Sequence, residues 1–104
     1  MIQKVIRYRT KPERTQENRR LVEAVFQELN AKAPAGLRYA TLALEDGTFV
    51  HIVAYDDGAP SMSSFNAFER FQDGVEERCA EMPHSESATV VGNYRMLSAD
   101  GSTS

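Results

Sequence analysis

Residues 37–55 read LRYATLALEDGTFVHIVAY, and the folding of this stretch decides the layout of the chain. Two runs of strand-forming residues flank Glu45-Asp46-Gly47, the pattern of a β-hairpin. Its faces set its register. A two-residue turn at Asp46-Gly47 puts Leu42 opposite His51 and mixes apolar and polar side chains. A three-residue loop, Glu45 to Gly47, puts Leu42 opposite Val50 and Ala40 opposite Ile52. One face then carries Ala40, Leu42, Leu44, Val50, Ile52 and Ala54 and is wholly apolar. The other carries Leu37, Tyr39, Thr41, Ala43, Phe49, His51, Val53 and Tyr55, with Thr41 opposite His51. A one-residue slip moves every side chain to the wrong face, so the three-residue loop is preferred. Gly47 takes the left-handed position of a type I turn closed by a G1 bulge.

Upstream, Ile2 to Arg9 forms a strand, with Arg7 either partly buried beside a partner or reaching solvent. Pro12 suits the first turn of a helix. Leu21, Val22, Val25, Phe26 and Leu29 make its apolar stripe, and the charge-rich run from Glu13 to Arg20 reads as its solvated face. Ala33-Pro34-Ala35-Gly36 stops it. Downstream, serines at 61, 63 and 64 offer a cap for a second helix. Its stripe is Phe65, Phe68, Phe71, Val75 and Cys79, and Met82-Pro83 ends it. Ser87 to Leu97 reads as the last strand, and residues 98–104 as a frayed polar tail after a single domain over 1–97.

The order strand, helix, strand, strand, helix, strand is met by the ferredoxin-like α+β arrangement, βαββαβ: a four-stranded antiparallel sheet with two helices on one face. The helices are expected to cover the aliphatic hairpin face. That leaves Leu37, Tyr39, Phe49, Val53 and Tyr55 on an open face too apolar for water, so a homodimer joined through the open sheet faces is expected. One chain of 104 residues with 41% apolar and 26% charged content can bury a core unaided. The net charge of −3 argues against nucleic acid or an anionic membrane as partner. Cys79 is the single cysteine, and no apolar run approaches the roughly 18 residues of a membrane helix. These point to a cytoplasmic protein.

A strand ending R-T-K-P, a long amphipathic helix, a hairpin strand F-V-H-I-V-A-Y-D and a helix with S-F-N-A-F resemble the dimeric α+β barrel proteins. The nearest group is the antibiotic biosynthesis monooxygenase-like one. Tyr55-Asp56 matches its aromatic-acid pair, and Phe65 and Phe68 match its phenylalanine pair. The resemblance implies a dimer with a cavity for a small aromatic or polyketide-like molecule, and for some relatives oxidation of phenolic polyketides without metal or flavin. The chain has no tryptophan, and Ser61-Met62-Ser63-Ser64 stands where the group often has a histidine. Haem cleavage is therefore not expected.

His51 is the candidate catalytic residue, as a general base or a hydrogen-bond donor to a phenolic or carboxylate ligand. The plainer alternative is a histidine bonded to Thr41 or a backbone group inside a dimer core. Tyr39, Tyr55 and Tyr94 can orient or stack on a ligand, or serve as interface aromatics. Thr41 stands beside His51, and Arg7 can hold an anionic group. His51, His84 and Cys79 lack a metal-ligand spacing, and no cofactor-binding motif is present. Two functions stay open: a cofactor-independent monooxygenase-like enzyme, and a non-catalytic dimer that binds a ligand or partner.

Overall fold

The computed structural model describes residues 2–96; the tail at 98–104 and Leu97 lie outside them. The elements are β1 (Ile2–Thr10), a 3-10 turn (Pro12–Arg14), α1 (Thr15–Lys32), β2 (Leu37–Ala43), β3 (Thr48–Tyr55), a second 3-10 turn (Met62–Ser64), α2 (Asn66–Gln72), α3 (Val75–Arg78) and β4 (Cys79–Ser87). The strands form one antiparallel sheet in the order β2-β3-β1-β4, the ferredoxin-like topology.

The hairpin has the expected register: Ala40 pairs with Ile52, Thr41 with His51 and Leu42 with Val50. Gly47 sits at φ +87, and the Asp46 carboxylate accepts from the Thr48 N–H at 2.9 Å. A side chain on Gly47 would be strained and would meet the Thr10 carbonyl at 3.3 Å.

The faces are reversed from the expectation. The helices cover the mixed face: Phe49, His51 and Val53 are buried, and Phe49 packs in one core with Tyr8, Val22, Val25 and Phe71. The aliphatic face is the open one, with Leu42 51% and Leu44 47% exposed. The mixed face has the larger rings, so covering it removes more apolar area from water. Its polar groups also satisfy one another once covered, as described below, which removes the usual cost of burying them.

Two further expectations are corrected. The second helix is not continuous: α2 ends before Gly74, whose φ of +79 breaks the run, and Cys79 already belongs to β4. Its stripe still faces inward, with Phe65, Phe71 and Cys79 buried and Phe68 and Val75 packed against the core. The last strand is Cys79–Ser87, not Ser87 to Leu97; residues 88–96 form no strand, and Val91 and Tyr94 are exposed. CAEMPHSES has a polar, proline-bearing composition because it is an edge strand, bonded on one side only to β1.

On α1, Glu28 pairs with Lys32 at 2.6 Å and also accepts from the Ala67 N–H at 2.8 Å, tying α2 to α1. Asn18, inside the run read as solvated, is 0% exposed.

Candidate functional site

Three strands and two helices bring one polar cluster into the apolar layer between sheet and helices. His51 enters from β3. Its Nε2 lies 2.8 Å from the Tyr8 hydroxyl of β1. Its Nδ1 lies 2.8 Å from the Tyr39 hydroxyl and 2.9 Å from that of Thr41, both on β2. The Asn18 side chain of α1 donates to the Tyr8 oxygen at 2.9 Å, and Arg78 Nε donates to the Asn18 oxygen at 3.0 Å. The other Arg78 nitrogens donate to the carbonyls of Asp73 and Phe71, and the guanidinium lies over the Phe71 ring, 5.4 Å from its centre. The line Arg78, Asn18, Tyr8, His51 crosses the core without a break.

Rings pack around this line. Tyr8 stacks on Phe49 at 5.5 Å and on His51 at 5.3 Å, Phe71 tilts onto His51 at 5.4 Å, and Tyr39 meets His51 edge-on at 5.7 Å. Burial dominates the electrostatics: it lowers the His51 pKa to about 4 and raises those of Tyr8 and Tyr39. All three are uncharged at pH 7.

The cluster forms one wall of a cavity of about 510 Å³ between sheet and helices. Tyr8, Tyr39, His51, Met62, Phe68 and Phe71 line it, as does Tyr55, and Lys4 is its cationic residue. Its volume is in the range of small-molecule sites. Two other hollows, of about 400 and 340 Å³, lie along the β2 edge and beside β4, and neither reaches His51.

Of the candidate residues, Tyr39, Thr41 and His51 come together and Tyr55 lines the same cavity. Arg7 does not join them; it is exposed on the open sheet face, in the hollow beside His84. Tyr94 is also elsewhere, exposed and stacked by its neighbour Arg95. Tyr8, Asn18 and Arg78 were not anticipated. Among the described residues no group of three or more His, Cys, Asp or Glu converges on a point, and no helix is long and apolar enough to cross a membrane.

No family model matches the chain, and no curated protein matches it. Solved structures do. One, described as an antibiotic biosynthesis monooxygenase, is 14% identical, with 88% of this chain and 100% of that one covered and a TM-score of 0.68. The Rv0793 protein of Mycobacterium tuberculosis is 15% identical, with 88% and 96% covered and a TM-score of 0.68. PA3566 of Pseudomonas aeruginosa is 18% identical, with 88% and 94% covered and a TM-score of 0.69. Such identities speak for the fold alone. The chain has the ferredoxin-like α+β fold of these structures, one of which is described as an antibiotic biosynthesis monooxygenase, and this is the fold that the resemblance of its hairpin and second helix implies.

Proposed function

We propose that the protein is a homodimer that holds a small aromatic or polyketide-like molecule in the cavity beside His51. The observation that carries this reading is the cavity itself: about 510 Å³, walled by Tyr8, Tyr39, Phe68 and Phe71, with one polar cluster at its wall. Rings supply most of the contact, and the cluster supplies orientation. The probe is 1-naphthol, titrated against the protein while tyrosine fluorescence is followed; the chain has no tryptophan to interfere. Saturable quenching is expected, weakened at least tenfold by Phe68→Arg, which fills the cavity with a charged side chain. Non-saturable quenching, or equal affinity in the variant, overturns the reading.

A second reading, a cofactor-independent monooxygenase-like enzyme, draws on the same His51 wall and on the activity in the description of one fold relative. It asks His51 to take a proton from a phenol of pKa about 10. With the His51 pKa lowered to about 4, that transfer is uphill by about 8 kcal/mol in the empty site. The burial that lowers the His51 pKa therefore favours binding over base catalysis. Oxygen uptake with 1-naphthol in air separates the two. We expect no uptake above that of a His51→Ala protein; uptake present in wild type and lost in the variant establishes the enzyme.

The homodimer reading moves to the face that is open. Leu42 and Leu44 are exposed there, beside half-buried Val50 and Ile52. Two copies packed through these faces bury the apolar area that one copy leaves in water. Light scattering at micromolar concentration should give about 23 kDa, twice the 11.6 kDa of one chain. Leu42→Asp should weaken association roughly a hundredfold or more, because the symmetric contact buries the unpaired carboxylate twice. A monomer-sized wild type, or an unaffected variant, refutes this dimer.

A further inference from the structure

We propose that Arg78, Asn18 and Tyr8 are positioning residues that fix His51 as its Nδ1–H tautomer, so that the cavity wall offers a hydroxyl proton to a hydrogen-bond acceptor on the ligand, such as a ketone carbonyl. The proposal rests on the cavity reading above and adds the polarity of its wall.

The direction follows from which atoms can only donate. A guanidinium has no acceptor, so the Asn18 atom facing Arg78 Nε is its oxygen. The Asn18 NH₂ then faces Tyr8 and donates to the phenol oxygen. The phenol has one proton left to place. Among the described residues its second polar partner is His51 Nε2, at 2.8 Å. If Nε2 carried a proton as well, Asn18 and His51 would both donate to Tyr8, and the phenol proton would be buried without an acceptor, a cost that structures avoid. Tyr8 therefore donates to Nε2, and the His51 proton sits on Nδ1.

Proton counting at the far side gives the consequence. Nδ1 lies between the Thr41 and Tyr39 hydroxyls, 2.9 and 2.8 Å away. With Nδ1 protonated, the ring can only donate on this side. Both hydroxyl oxygens then accept from Nδ1–H, and the Tyr39 proton is spare. Tyr39 lines the cavity. With Nδ1 unprotonated the ring is the acceptor instead, and it draws the Tyr39 and Thr41 protons toward itself and away from the cavity. The buried guanidinium of Arg78, four residues after the break at Gly74 and 2% exposed, thus sets what the cavity can bind from the opposite side of the core.

Long-range ¹H–¹⁵N correlation of the histidine rings at pH 7 reads the tautomer directly; His84→Gln identifies the other ring. Wild type is expected to show a protonated Nδ1 and a bare Nε2. Asn18→Asp should reverse the line: a carboxylate cannot donate, Tyr8 turns its proton to Asp, and Nε2 takes the ring proton. A tenfold or larger change in tautomer ratio is expected. A wild-type ring protonated on Nε2 overturns the proposal with no variant needed, and so does an unchanged ratio in a folded Asn18→Asp protein. The ligand half is tested by shift titration with 1-tetralone and the hydrocarbon tetralin, which share a shape and differ in the carbonyl. Wild type should bind the ketone about fivefold tighter, and Asn18→Asp should lose that margin. Equal affinities in wild type overturn the donor wall. If neither compound shifts the cavity residues, the cavity reading falls and takes the ligand half with it, while the ring nitrogens decide the tautomer independently.

Discussion

Phe49→Ala is expected to destabilise the fold by about 3–5 kcal/mol, the usual cost of removing a fully buried phenylalanine. Phe49 is 2% exposed, stacks on Tyr8 and belongs to the cluster with Val22, Val25 and Phe71. The cavity left behind adjoins the Tyr8 ring, which holds one end of His51, so relaxation to fill it would disturb the polar line. That makes the upper part of the range the better expectation. Chemical denaturation measures it. The result also decides which hairpin face is core. Loss from Phe49→Ala should be the same at every protein concentration, because the contacts lie within one chain. Loss from Leu42→Ala should grow with protein concentration, because in the proposed dimer its contacts lie between chains. Exchange of these two behaviours would put the aliphatic face back under the helices.

That exchange is the point at which the sequence stops being legible. The pairing of Thr41 with His51 could be read from residues 37–55 alone, because only one register separates an aliphatic face from a mixed one. Which face lies inside could not. Both are apolar enough to bury, and the choice depends on groups far along the chain: Tyr8 for His51 Nε2, Asn18 for Tyr8, and Phe71 for the rings. A histidine between two tyrosines and a threonine looks like a surface only while its partners are unknown.

Asn18 did leave a signal. It stands four residues before Val22 and seven before Val25, so it continues the buried stripe of α1 through an otherwise charged run. A polar residue on an apolar stripe has to find a partner. Arg78 left none, because its acceptors include two backbone carbonyls brought round by the break at Gly74. The strand β4 was hidden for a different reason. An edge strand needs only its backbone to pair, so Glu81, His84 and Glu86 can stay charged or polar, and Pro83 is tolerated. The apolar residues near 90–97 carry the stronger strand pattern in the sequence.

Acid should unfold this protein earlier than its carboxylates alone would require. In the unfolded chain His51 titrates near 6.5; burial lowers it to about 4 in the fold. Between these pH values the unfolded chain binds a proton that the folded chain does not, so falling pH favours unfolding. The contribution of neutral, buried His51 is complete above about pH 6.5 and is lost progressively as the pH falls through this window. By pH 4 the loss amounts to about 3 kcal/mol, a large share of the stability of a domain this size. The groups facing the ring are Tyr8, Tyr39 and Thr41, with Lys4 lining the same cavity. None is a carboxylate, so nothing there stabilises an imidazolium, and Lys4 opposes it. Asp46, Glu17 and Glu28 also have lowered pKa values, but from ordinary values at or below 4.5, so their losses start at the acid end of the window. Urea denaturation from pH 7 to 5 isolates His51: wild type should lose stability along this range, and His51→Gln, though weaker at pH 7, should be nearly flat. His84 is present in both proteins and drops out of the comparison. Parallel slopes would mean that His51 takes up its proton in the fold over the same pH range as in the unfolded chain, and the neutral hydrogen-bond line from Arg78 to the cavity would then not persist at pH 5.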